Sequence, residues 1–124
     1  MHKAKVILKK KINYVYCDVK FYQDKNASPE VYVLIDYGQK NRDENNETMV
    51  MALVNDQNKS VIFNTKIDFF NYFSNLGWEY VQTFDTKIAF PDDVDRKAHF
   101  IFRKELKDGQ GIGLYSDKGG VHVK

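Results

Sequence analysis

The chain is poor in the residues that cross-link small folds and hold metal ions. Cys17 is its single cysteine, which excludes an internal disulfide, and its three histidines, His2, His99 and His122, are scattered along the sequence. With one cysteine, no spacing of cysteine and histidine fits a zinc site. Because Cys17 lies within an alternating apolar segment, we expect a buried strand residue and not a reactive thiol. The sequence predicts no metal site and no cofactor.

Long apolar runs are also missing. Near the N-terminus only residues 6–8 are consecutively apolar, which is too short for a signal peptide, and no segment approaches the roughly 20 apolar residues of a membrane-spanning helix. The sequence thus predicts a cytoplasmic protein with no membrane association. Its 124 residues, 43% hydrophobic and 15% aromatic, suit one soluble globular domain with a single core.

Acidic residues are missing from the first eleven positions, which hold five of the 19 basic residues. The other 14 basic residues face 17 acidic ones, so the rest of the chain carries a net charge of −3. A basic arm can neutralise the phosphates of nucleic acid or an anionic surface, but solvation of a terminus is the commoner reason for one. We expect one domain over residues 1–124, with the basic arm at 1–11, a core at 12–106 and a glycine-rich segment at 107–124.

Alternation of apolar and polar residues predicts most of the strands. Val15, Cys17, Val19 and Phe21 occupy every second position of one segment, which is the period of a strand with one buried face. Similar segments follow, separated by stretches rich in turn-forming residues. The predicted strands are residues 13–22, 31–37, 48–54, 60–63, 78–84 and 98–106.

Residues 65–76 predict a helix of about three turns. Asn64 or Thr65 serves as its N-cap, and Asp68 lies in the first turn, where the helix dipole favours an acid. At helical spacing the large apolar residues fall on one arc and the polar residues on the other. The apolar arc consists of Phe69, Phe70, Tyr72, Phe73 and Leu76.

Gly77 predicts how this helix ends. Helices commonly stop at a residue in the left-handed conformation, which glycine adopts without a Cβ clash, and the apolar residue that follows folds back on the last turn. We therefore expect a positive φ at Gly77. We also expect Trp78, the only tryptophan, to be buried against Phe73.

These elements predict an α+β fold, with an antiparallel sheet of four to five strands and the helix packed on one face. Their order is β-β-β-(β)-α-β-β, in which the strand at 60–63 is optional. After the helix, alternation places Trp78, Tyr80 and Phe84 on one side of a strand and Val81 on the other. The segment from residue 107 holds five of the seven glycines and allows a small hairpin that turns at residues 118–120.

The run "FFNYFSNLGWEYVQTF", followed by "HFIFRKEL", resembles the small family called domain of unknown function 4177, especially its Bacteroidetes relatives with a Gly-Trp-Glu motif after the helix. The resemblance covers about residues 60–105. The chain departs from the family at Phe70, where those helices often carry alanine or leucine, at the strand end Phe102-Arg103-Lys104, and in its glycine-rich tail. The resemblance implies an α+β fold and assigns no activity, so no catalytic residue is carried over.

Candidate catalytic groups are few. His99 shares its strand face with Ile101 and Arg103, and Glu79 lies on the strand face opposite to Trp78. Either side chain becomes a candidate acid or base only where a second titratable group converges on it in a cleft, and simple exposure explains both. No nucleophilic side chain and general base are arranged in the sequence as a recognisable catalytic triad. The sequence therefore predicts that the protein is not an enzyme.

Two short patterns resemble ligand-binding loops but lack essential parts. The alternating glycines at 109–113 are not followed by Lys-Ser/Thr or by a predicted helix, as a phosphate-binding loop requires. Asp92, Asp93 and Asp95 lack the regular ligand spacing and the late glutamate of a calcium loop. We expect a solvated acidic loop there.

The remaining hypotheses concern partners. A helix about 16 Å long and 10 Å wide cannot cover four or five strands spaced about 4.8 Å apart. Tyr14, Tyr16 and Tyr22 would lie on the uncovered face, and tyrosine is common in interfaces. We therefore expect a non-catalytic protein-interaction or self-assembly module, most simply a homodimer through that face or through an edge strand, with the tail as a possible second contact.

Other hypotheses use the same features. The strand tyrosines and the lysine arm could bind single-stranded nucleic acid by stacking and phosphate neutralisation, although the acidic body and the lack of an RNP-type motif argue against it. A monomer would result if the glycine-rich segment folded back over the bare sheet. A small-ligand-binding domain or an enzyme ranks below these.

Overall fold

The computed structural model describes residues 12–23, 29–40, 50–85 and 98–124. The basic arm at 1–11 and the acidic residues Asp92, Asp93 and Asp95 lie outside these ranges. Within them the chain forms one helix and seven strands: β1 (Asn13–Gln23), β2 (Val31–Asp36), β3 (Met51–Ala52), α1 (Lys66–Asn75), β4 (Trp78–Phe84), β5 (His99–Leu106), β6 (Leu114–Asp117) and β7 (Gly120–Val123).

Five strands form one antiparallel sheet centred on β1, in the order β3-β2-β1-β5-β4. The alternation of β1 gives it one apolar side, on which Cys17, Val19 and Phe21 are buried. The helix α1 packs on this side, which we call the helix face, and its Phe69 meets the Phe21 ring edge to face at 5.4 Å. The predicted α+β fold, an antiparallel sheet with one covering helix, is confirmed.

α1 begins where Thr65 caps it. Thr65 is extended (φ −148°, ψ 170°), and its Oγ1 accepts a hydrogen bond from the backbone N–H of Asp68 at 3.4 Å. Phe69 and Phe73, one turn apart, are fully buried, whereas Ile67 on the outer side is exposed. α1 has ten residues, and no helix in the described part of the chain is long and apolar enough to cross a membrane.

α1 ends at Gly77, which has a left-handed conformation with φ +94°. The N–H groups of Leu76 and Gly77 donate to the carbonyls of Phe73 and Ser74 at 3.0 and 2.9 Å, which closes the last turn. The Trp78 ring then stacks on Phe73, with 5.1 Å between centroids and 7° between planes, and only 3% of Trp78 is exposed. The glycine thus places the start of β4 directly against the end of the helix.

The glycine-rich segment ends in a hairpin that shares the core. β6 and β7 pair around a turn at residues 118–119, where the sequence predicted one. Leu114 and Val121 are buried in the same apolar cluster as the phenylalanines of α1. Lys104 of β5 lies on the helix face and donates from Nζ to the carbonyl of Ile112 at 3.2 Å. The hairpin therefore covers the helix face beside α1 and not the opposite face.

The segment 48–54 forms less strand than its apolar character predicted. Of its described residues, only Met51–Ala52 pair with β2 as a ladder. Leu53 still donates its N–H to the carbonyl of Val33 at 3.0 Å, but it also forms a parallel bridge to Val121, whose carbonyl accepts from the N–H of Val54 at 2.8 Å. The chain leaves β2 here to hold the hairpin, and this ends the ladder.

The strand predicted at residues 60–63 does not form. Phe63 exchanges two backbone hydrogen bonds with Val31, each of 2.8 Å, whereas the N–H of Val61 donates to the carbonyl of Leu53 at 3.0 Å. Because Phe63 pairs with β2 whereas residues 60 and 61 pair with the segment after β3, they form isolated bridges and not a continuous ladder.

β4 contains a bulge. Tyr80 lies opposite Phe102 of β5, but Gln82 lies opposite Ile101, so Val81 is an extra residue without a partner position. An extra residue inverts the alternation of every side chain beyond it.

Phe84 therefore lies opposite His99 and faces away from α1. The prediction that Phe84 shares the side of Trp78 is wrong, because a strict period of two cannot anticipate a bulge. The bulge adds an aromatic ring to the uncovered face of the sheet.

Candidate functional site

We call the sheet face turned away from α1 and the hairpin the open face. It is built from alternate residues of four paired strands, since successive side chains of a strand point to opposite sides. It consists of Tyr14, Tyr16, Asp18, Lys20 and Tyr22 of β1, Tyr32, Leu34 and Asp36 of β2, Glu79, Gln82 and Phe84 of β4, and His99, Ile101, Arg103 and Glu105 of β5.

The three tyrosines named from the sequence lie on the open face but in two separate groups. The rings of Tyr14 and Tyr16 are 6.4 Å apart at one end of β1. Tyr22 stacks on Tyr32 of β2 at the other end, with 5.6 Å between centroids. Six residues of extended chain separate Tyr16 from Tyr22, a distance of roughly 20 Å. The tyrosines therefore do not form one continuous stacking platform.

Arg103 links three strands of the open face. Its Nη2 and Nε lie 2.7 and 2.9 Å from Oε1 of Glu79, and its guanidinium lies 4.3 Å from the centroid of the Tyr14 ring. Hydrogen bonds to Glu79 and then to Tyr16 raise the pKa of Arg103, which stays charged. Glu79, a candidate acid from the sequence, is thus held in an ion pair beside the tyrosines.

Asp18 and His99 form the second polar cluster of the open face. Oδ2 of Asp18 lies 2.6 Å from Nδ1 of His99, and Phe84 stacks on the imidazole at 4.8 Å between centroids. The other oxygen of Asp18, Oδ1, is buried and has no hydrogen-bond partner in the described part of the chain. The pair brings one sequence candidate, His99, against a titratable residue that sequence analysis missed.

Asp36 lies directly opposite Asp18 in the β1–β2 register, an unfavourable position for two like charges. Oδ1 of Asp36 accepts from the N–H of Gly38 at 2.9 Å, and His99 pairs with Asp18. Both aspartates occupy polar positions in strands where apolar and polar residues alternate. This is the only indication of their location that the sequence contains. The pairing register, which the sequence does not contain, brings them together.

A shallow cavity of about 270 Å³ lies between these aspartates and Tyr16. Cys17 borders it, but burial, helped by the charges of Asp18 and Asp36, raises the pKa of the thiol, which stays protonated. An imidazole oriented by a carboxylate, without an activated nucleophile, is suited to binding a polar group more than to acyl transfer. The described residues include no group of three side chains able to hold a metal ion.

A third polar cluster lies in the β6–β7 turn. The carboxylate of Asp117 accepts from the N–H of Gly119 at 2.8 Å and pairs with His122 at 3.0 Å, and these contacts lower the pKa of Asp117. Tyr115 stacks on the His122 ring at 4.9 Å. Since these contacts are local to the hairpin, we assign this cluster a structural role.

Comparison of the chain with protein-family models, with curated proteins and with solved structures finds no match to any of them. The resemblance to domain of unknown function 4177 therefore stays an expectation from the sequence.

Proposed function

We propose that the domain is a non-catalytic self-assembly module and that its open face is the interface of a homodimer. The supporting observation is the unequal cover of the sheet. α1 and the hairpin pack on one face, whereas Tyr16 and Phe84 of the open face are 52% and 43% exposed. Partly exposed aromatic side chains with polar neighbours are typical of protein interfaces.

The size of the open face is compatible with a dimer interface. The five strands, which range from two to eleven residues in length, cover roughly 540 Å² at a spacing of about 4.8 Å, before the relief of the side chains is counted. Standard interfaces bury about 800 Å² on each partner. One open face packed on another therefore approaches the usual range.

The charges of the open face suit a second copy of the same face. Lys20 and Arg103 are basic, whereas the acidic residues are Asp18, Asp36, Glu79 and Glu105. In a two-fold contact a residue away from the axis meets a different residue of the partner, so the acids of one copy can face the bases of the other. Single-stranded nucleic acid requires a surface dominated by basic charge, and the described residues of this face carry more acids than bases.

The mass in solution tests this proposal. Sedimentation velocity at micromolar concentration should give twice the 14.5 kDa of one chain. Tyr14→Ser combined with Tyr16→Ser should give a monomer, because it removes the rings around Arg103. Tyr115→Ser is the matched control, since this tyrosine is 43% exposed but lies on the hairpin. The control should remain a dimer.

Three results would contradict the proposal in different ways. A wild-type mass of 14.5 kDa rejects the dimer. A dimer that survives the double substitution rejects the open face and favours an edge strand. Retardation of short single-stranded oligonucleotides that weakens as salt rises favours the nucleic-acid alternative.

A further inference from the structure

A pocket of about 390 Å³ lies where α1 begins, at the end of β1 remote from Tyr14 and Tyr16. It is bounded by the end of β1, the start of β2, the start of β5 and the first residue of α1. Phe21, Val31 and Phe100 form its apolar wall. Its volume lies within the roughly 300 to 1,000 Å³ of small-molecule sites.

Lys66 supplies the positive charge of this pocket. Its Nζ lies 5.6 Å from the centroid of the Phe21 ring and 5.5 Å from that of Phe100, and these two rings meet edge to face at 4.9 Å. No carboxylate is among the described residues that line the pocket, and within the described part of the chain Lys66 forms no ion pair. Among the described residues, the ammonium is thus held over an aromatic wall without an anion to balance it.

The position of Lys66 is unfavourable for the helix itself. It is the first residue of α1, where the positive end of the helix dipole disfavours a cation. Proline or an acid is preferred in the first turn. The two rings under the ammonium offset part of this cost, and residues that break a local preference occur mainly at functional sites.

We infer that this pocket binds a small aromatic carboxylate, with its ring against Phe21 and Phe100 and its carboxylate on Nζ of Lys66. One ammonium balances one negative charge, and no arginine is among the described lining residues to hold a phosphate with two parallel hydrogen bonds. Thr65 also lines the pocket. Among the described residues its Oγ1 only accepts, from the N–H of Asp68, so its O–H is available to the carboxylate.

Benzoate and benzamide are matched probes, because they share a shape and differ in charge. Titration followed by amide shifts in NMR spectra should show both probes at Thr65, Lys66 and Phe100, with benzoate bound about tenfold more tightly. Lys66→Gln should remove this preference while leaving benzamide binding unchanged, and Lys66→Arg should keep it. Lys59→Gln, which changes an exposed lysine outside the pocket, is the control and should behave as wild type.

Absence of shifts at millimolar probe, shifts at other residues, or equal affinities for the two probes would overturn the assignment. Lys66→Gln should fold normally, since it removes a charge that opposes the helix dipole, and its melting temperature checks this. The test is independent of the dimer. A failure of the dimer proposal would appear in the sedimentation result and not in the NMR titration. Among the described residues, only Tyr22 belongs both to the open face and to the lining of the pocket.

Discussion

The two faces of the sheet use aromatic side chains differently. On the helix face, the fully buried Phe69 ring lies 4.6 to 5.8 Å from four other aromatic rings. On the open face, rings meet charged or polar groups, Tyr14 under Arg103 and Phe84 on His99. Alternation sends aromatic residues to both sides of the strands. What distinguishes the faces is that the rings of the helix face join one buried cluster, whereas those of the open face meet polar groups or pair with one other ring, as Tyr22 does with Tyr32.

This difference indicates which substitutions should affect folding and which should affect assembly. Ring-to-ring contacts in a closed core exclude water and mainly stabilise the fold. Contacts between a ring and an ionic group at a surface contribute little to stability and remain accessible to a partner. We therefore expect changes on the helix face to lower stability and changes on the open face to spare it.

The largest contrast is expected between Phe69→Ala and Tyr16→Ala. Phe69 is fully buried, so its truncation should lower the free energy of unfolding by about 3–5 kcal/mol. Tyr16 is half exposed, and its truncation should cost less than about 1 kcal/mol. Urea denaturation at a concentration where the protein is monomeric measures both values. Equal losses would mean that the open face is a second core.

Thiol labelling compares the two faces through the rates at which a cysteine on each face reacts. Cys17 is 3% exposed and burial raises the pKa of its thiol, so we expect iodoacetamide to react only when the protein opens. In a Cys17→Ser background, Tyr16→Cys should react roughly a thousandfold faster, because global opening of a domain costs about 5 kcal/mol or more. Comparable rates would contradict the placement of residues 16 and 17 on opposite faces.

The smallest effect concerns the glycine that joins α1 to β4. Gly77→Ala should lower stability by about 1 kcal/mol, since φ is +94° and the new Cβ would lie 3.3 Å from Cε of Lys104. Gly111→Ala is the control, because a Cβ there meets open space, and it should change stability by less than about 0.5 kcal/mol. Chemical denaturation of both variants measures the difference. Equal stability of Gly77→Ala and wild type would show that the helix end relaxes freely.

The sequence was sufficient for features that depend on nearby residues. The helix predicted at 65–76 is observed at Lys66–Asn75 with Thr65 as its cap, because capping and helical periodicity are set within a few positions. The bulge at Val81 and the early end of the ladder at Leu53 depend on distant partners. Periodicity contains no information about those partners, so both were missed.

The candidate site, too, was predictable only where it depends on residues close together in the sequence. Alternation placed the tyrosines on one face, but the stacking of Tyr22 on Tyr32 follows from the β1–β2 register. Asp18 and His99 are 81 positions apart and meet only through the pairing of β1 with β5. The pocket at Lys66 needs four elements to converge, which local patterns cannot show.

Both edges of the sheet oppose regular extension. β3 has two residues, and β4 is interrupted by the extra residue Val81. A short or bulged edge offers an incoming strand no long row of evenly spaced N–H and C=O groups, which is what strand-by-strand growth into filaments requires. The bulge turns Phe84 outward. It also makes aggregation through β4 less favourable, although side chains of β4 such as Tyr80 are exposed.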